Sequence, residues 1–257
     1  MVDKLSRRNL FKVAGAAGAA VTFRSTPAPA QNEPETEQAP APASEATQSS
    51  PASNVEHQDI LFFFTPEEAQ FVEAAVDRLI PADNEWPGAA WAGVANFIDR
   101  QLAGAYGAGA RMYLQGPWDL GEPQQGYQLP FTPAEIYRTG IREIRGWVAE
   151  REGETEFWDL SPSAQIDILE MLQAGEVPLP SMPSSVFFET LLANTIEGWF
   201  ADPAYGGNRD MVSWRMIGFP GAYAQYTDLV EEHGLSFERP PMSMAEVSRT
   251  DHHNEDH

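Results

Sequence analysis

The densest set of metal-ligating side chains in the chain is the run Asp251-His252-His253-Asn254-Glu255-Asp256-His257. Imidazole nitrogens and carboxylate oxygens both bind divalent ions, yet a polar run with no apolar face is expected to be disordered and to chelate metal only adventitiously. His57 and His233 are the only other imidazoles, too few to assemble a Ser/His/Asp constellation. Carboxylate pairs such as Asp83 with Glu85 have the groups for acid/base work, but 38 Asp and Glu side chains produce such pairs by chance. Gly104, Gly107 and Gly109 have the wrong spacing for a dinucleotide-binding turn, and no strand pattern precedes them. Cysteine is absent, which excludes disulfides, thiolate zinc sites, Cys-held iron–sulfur clusters and the attachment motif of c-type haem. The sequence therefore assigns no catalytic residue, no cofactor-binding residue and no metal ligand to this chain. Any redox centre is expected on another one.

The residues with a readable address are Arg7 and Arg8. Ser6-Arg7-Arg8-Asn9-Leu10-Phe11-Lys12 resembles the twin-arginine export pattern, with Leu10 and Phe11 in the reverse of the usual order. Val13 to Phe23 follows as a short, mildly apolar stretch, and Ala28-Pro29-Ala30 offers a small-residue cleavage site. Eleven apolar residues cannot span a bilayer, which needs about 20. Residues 1–30 are thus expected to be a signal peptide that delivers the protein to the periplasm. Residues 31–58, built from Pro, Ala, Gln, Glu, Ser and Thr, cannot bury enough surface to order themselves and are expected to form a disordered tether.

Five of the 16 basic residues but only one of the 38 carboxylates fall in residues 1–30, and no Lys follows Lys12. The rest of the chain is strongly acidic, so nucleic acid is excluded as a partner, because phosphate binding needs a surface rich in Lys and Arg.

Helix signals recur along residues 59–239, and strand signals are few. Thr65-Pro66-Glu67-Glu68 supplies an N-cap, a first-turn Pro and a capping-box Glu, and apolar residues from Phe71 to Ile80 follow at helical spacing up to Pro81. Thr132-Pro133-Ala134-Glu135 repeats the device for a helix running to about Glu150. Ser161-Pro162 opens a third that ends at Gly175, and Phe188 to Trp199 marks a fourth ending before Asp202-Pro203. Shorter helices are expected over Trp91–Leu102 and Tyr223–Glu231. The expected fold is all-α, an irregular helical bundle with long loops carrying Gly, Pro and aromatic residues, followed by a polar tail over 240–257. Trp86, Trp118, Tyr127, Phe131, Tyr205 and Trp214 lie in or beside those loops, where they either face a partner or pack down as lids of the core.

Two stretches resemble a known family. Phe64-Thr65-Pro66-Glu67-Glu68, Leu79-Ile80-Pro81-Ala82-Asp83, Pro87-Gly88-Ala89 and Ala92-Gly93-Val94 are similar to the amino-terminal half of the gluconate 2-dehydrogenase subunit 3 family. Gly198 to Asn208 and Trp214 to Ala222 are similar to its second signature, so the resemblance runs from about 60 to 235. It implies a non-catalytic small subunit accompanying a flavoprotein of the glucose–methanol–choline type, with FAD on that partner and haem c on a possible third, multihaem cytochrome subunit. It also implies membrane contact only through the complex, and gluconate, related sugars or polyols as substrates. The Gly206-Gly207 pair permits positive φ in a tight turn, and that turn is expected to present Tyr205, Asn208 and Trp214, with Asp202 at its base, to the large subunit. A twin-arginine route suits such a partner, since a flavoprotein folded around its cofactor needs a route for folded cargo. The competing class is a stand-alone periplasmic carbohydrate-binding module using the loop aromatics as stacking platforms.

Overall fold

Thr65 and Thr132 start two helices by the same chemistry. The computed structural model describes residues 60–118, 128–221, 231–234 and 240–246. In it α1 covers Pro66–Leu79 and α3 covers Pro133–Glu152, each with a complete capping box. The Thr65 amide donates to Glu68 at 2.9 Å and the Thr132 amide to Glu135 at 2.8 Å, while each Thr hydroxyl accepts from the Glu amide. Between them α2 covers Val94–Ala103. It begins three residues later than Trp91, because Gly93 takes the left-handed conformation (φ 76°) that closes the preceding turn. Ser161 caps α4, Pro162–Ala174, and left-handed Gly175 ends it. The last long helix, α5, covers Ser184–Phe200, starting a turn earlier than Phe188. A sixth, α6 over Val212–Ile217, is not among the helices the sequence indicated.

The fold is all-α, and no strand occurs among the described residues; the nearest thing is a parallel bridge between Gly221 and Met242. The signal, the tether, Tyr127, Tyr223–Val230 of the expected sixth helix and the His-rich tail lie outside the described residues.

α5 is largely apolar, with an exposed edge at Glu189, Ala193 and Glu197, and it sits at the centre, touching α1, α2, α3, α4 and α6. Phe187 and Phe188 on α5 are buried, and Phe187 meets Phe71 of α1 and Tyr137 of α3 with ring centroids 6.1 and 5.8 Å apart. α3 comes this close because its Gly140 faces the Phe187 ring, where any Cβ would collide. Charges hold the outside of the same seam. Arg145 makes a two-pronged bond to Glu156 at 2.9 and 2.5 Å, and Arg138 pairs with Glu68 while lying over the Phe63 ring at 4.2 Å.

Two buried carboxylates fix the ends of the body. Asp99 on α2 is fully buried and accepts the amides of Phe62, Phe63 and Phe64 at 2.7, 3.0 and 2.7 Å, pinning the segment that leads into α1. Asp202 does the same for the segment at 240–246. It accepts the Ser243 hydroxyl and the Met244 amide, both at 2.8 Å. Residues 240–246, grouped with the tail by their polarity, are therefore docked on the body. Ser243 and Glu246 form a small cap of their own, with the Ser243 amide donating to Glu246 at 3.0 Å.

Candidate partner-binding face

The six residues expected at a partner contact divide into an inner and an outer group. Trp214 is buried, its indole N–H donates to the Phe200 carbonyl at 3.0 Å, and its ring meets Phe219 edge to face at 5.2 Å. Asn208 is fully buried. It donates to the Ala201 carbonyl at 2.9 Å and accepts the Ser213 amide and hydroxyl at 2.9 and 2.8 Å, which caps the short α6 from within. Asp202 is occupied by Ala204, Ser243 and Met244. Gly207 is required for space rather than for φ, since a Cβ there would overlap the Gly198 carbonyl of α5. Its neighbour Gly206 has the left-handed φ, 103°, and its carbonyl lies 2.8 Å from where a Cβ on Gly93 would be. Tyr205 alone among the side chains of this set is turned outward, half exposed. Arg7 and Arg8 lie outside the described residues.

The loop aromatics divide likewise. Trp86 and Phe131 pack against the core, while Trp118 is exposed.

On the outer side of the Gly206 turn lies a set of side chains that the sequence did not single out. Trp91 is exposed and stands beside Arg209, whose guanidinium lies 5.8 Å from the ring centroid. Phe62 is exposed next to Arg100, again at 5.8 Å. The two pairs belong to one face: the Arg209 amide donates to the Ala92 carbonyl at 3.0 Å, and the Arg100 side chain lies against Gly206. A recess of about 480 Å³ opens there, lined in part by Leu61, Trp91, Asn96 and Arg209. The backbone beneath it is strained. Asn208, Asp210 and Met211 all have positive φ, 46°, 53° and 54°, a conformation uncommon outside Gly, and the buried amide of Asn208 holds it in place. The signal that was present is Trp91 immediately before a Gly-led helix start. It read as the first turn of that helix, because nothing in one sequence says which way the indole points.

A second polar cluster runs from the core to the surface. Tyr137, fully buried, donates to Asn194 at 3.1 Å, and Asn194 also bonds Tyr106 at 3.0 Å and Glu197 at 3.1 Å. Burial pushes the Tyr137 hydroxyl well above 10.0 and raises that of Tyr106. Both phenols are thus neutral hydrogen-bonding groups at ordinary pH, and the cluster ties α3 to α5. Among the described residues no three His, Asp or Glu side chains converge as a metal site, and no helix is long and apolar enough to cross a membrane.

The body is all-helical, its glycine-limited turn is locked from inside, and arginines and aromatics stand on the outer side of that turn. The model of the gluconate 2-dehydrogenase subunit 3 family matches residues 66–221, and the chain belongs to that family. No curated protein and no solved structure matches it.

Proposed function

We propose that this chain is the non-catalytic small subunit of a periplasmic, membrane-associated dehydrogenase complex that oxidises gluconate or a related sugar with FAD, and that it stabilises and co-exports the flavoprotein subunit. The observation that carries this reading is the family match, which spans 66–221 and includes both the α1–α2 region and the Asp202–Gly221 segment. The sequence adds two supports: the Arg7-Arg8 signal, and the lack of a dinucleotide turn or a Cys-held redox group. In this scheme FAD and the catalytic base belong to a partner of the glucose–methanol–choline type, and haem c to a third subunit where one is present. The small subunit contributes a folded surface and an export address.

Tagging the full chain in its host and purifying it from the periplasm tests this. A flavin-bearing chain is expected to copurify with gluconate- or sugar-dependent dye reduction, and replacing Arg7 and Arg8 together by Lys should leave both chains in the cytoplasm. Recovery of the tagged chain alone, with no flavin and no dehydrogenase activity, would contradict the proposal.

One observation favours the second reading, a carbohydrate-binding module: the recess beside Trp91 combines an aromatic face with Asn96 and Arg209, groups that suit hydroxyls and carboxylates. Titrating gluconate into the isolated chain separates the two, since a subunit role predicts no affinity without the partner.

A further inference from the structure

Phe62, Trp91 and Tyr205 are large apolar side chains turned outward around the Gly206 turn, with Arg100 and Arg209 among them. Their placement is rigid. Three amide bonds to the buried Asp99 hold the backbone of residues 62–64, yet Phe62 itself is 62% exposed. Arg209 sits between left-handed residues in a segment locked by Asn208, which sets its guanidinium beside an indole that is 44% exposed. An exposed aromatic on a fixed backbone has less conformational entropy to lose on binding, so more of its burial is retained as affinity than for a side chain on a mobile segment. Trp, Tyr and Arg around a recess are also the side chains most enriched at the energetic centres of interfaces.

Charge decides what fits. The chain carries a formal net charge of −22, so two copies meeting here would bring like-charged bodies together. Arg209, in a recess that Glu73 also lines, and Arg100, which donates to Asn96 at 3.2 Å, are the basic groups of this face, and they suit a different protein that places an apolar side chain beside Trp91 and a carboxylate within reach of a guanidinium. We infer that the face formed by Phe62, Trp91, Tyr205, Arg100 and Arg209 is the docking surface for the flavoprotein subunit, which meets it with an apolar side chain and a nearby carboxylate. This rests on the proposed subunit role and moves the contact from the inside of the Asp202–Trp214 segment to its outer side.

The test uses the full chain and the flavin-bearing chain that copurifies with it, identified by mass and flavin absorbance. Trp91→Ala is expected to weaken their affinity about thirtyfold or more, the loss usual for a central interface aromatic. Arg209→Glu is expected to slow association and to reduce its sensitivity to salt, which a purely structural role would not do. Tyr113→Ala, an exposed aromatic outside the face, is expected to change neither. Because Trp91 is exposed, its variant should keep the melting temperature of the parent; if it does not, Tyr205→Ala serves as the second probe and is expected to weaken binding as well. Affinity unchanged in Trp91→Ala, Tyr205→Ala and Arg209→Glu, with the parent complex intact, would overturn the docking surface while leaving the subunit role standing. Failure of the parent chain to capture any flavoprotein would overturn both. A homodimer broken by Trp91→Ala, or gluconate binding by the isolated chain lost in Trp91→Ala, would assign the face to another occupant.

Discussion

The five long helices and the segment from Asp202 to Gly221 are held by different forces. The helices close over Phe71, Tyr137, Phe157, Phe187 and Leu169, all buried, so what holds them is apolar area and close fit. The segment buries fewer large side chains and relies on directed bonds: Asn208 to Ala201 and Ser213, Trp214 to Phe200, and Asp202 to Ser243 and Met244. It also depends on two places without a Cβ, Gly93 and Gly207. A packed bundle accepts other apolar side chains of similar volume, whereas a bonded turn accepts almost no substitution at its donors, acceptors and glycines.

The comparison can be broken first at Trp214. Trp214→Ala is expected to destabilise the chain by about 3–5 kcal/mol, as for other large buried aromatics, while Leu169→Met in the bundle should cost less than about 1.5 kcal/mol. Urea denaturation of both variants checks this, and equal losses would remove the distinction. Asp202→Ala comes next. It leaves the buried Ser243 hydroxyl and the partly buried Met244 amide without their acceptor, at about 1–3 kcal/mol, and hydrogen exchange should then rise at 243–246 before the rest of the body. Uniform protection along the chain would show that the carboxylate is not what docks residues 240–246.

Glu156→Gln should have a smaller effect, under about 1 kcal/mol, because the pair with Arg145 is partly exposed. The hydrogen bond from Arg145 holds the Glu156 carboxyl below its ordinary 4.5. The stabilisation is therefore complete above 4.5, where the unfolded carboxyl is also charged, and is lost as pH falls through the lower folded value. Melting curves of parent and variant should differ at neutral pH and converge in acid; a constant offset would place the effect elsewhere. Tyr205→Ala should have the smallest effect on stability, within about 0.5 kcal/mol, since its side chain is half exposed.

The helix starts at Thr65, Thr132 and Ser161 were legible in the sequence because a cap is a local device of four residues. α6 was not, since six residues make no periodic face and its first turn depends on Asn208 reaching Ser213 across the kink. Gly207 was read as a turn glycine, while its need for space depends on Gly198, nine positions away and on another element. The site was the least legible part. Trp91 and Trp214 are the same residue type beside glycine turns, and what separates them is tertiary: the Trp214 indole donates to the Phe200 carbonyl of α5 and is buried, while Trp91 stands outside.

The most direct measurement therefore takes Trp91→Ala and Trp214→Ala through the same two assays, melting of the isolated chain and capture of the flavoprotein. The expected result is a crossed one. Trp91→Ala keeps its melting temperature and loses capture, while Trp214→Ala loses stability and its folded fraction still binds. A Trp91→Ala chain that melts early, or a folded Trp214→Ala chain that fails to bind, would contradict the division into an inner lock and an outer docking face.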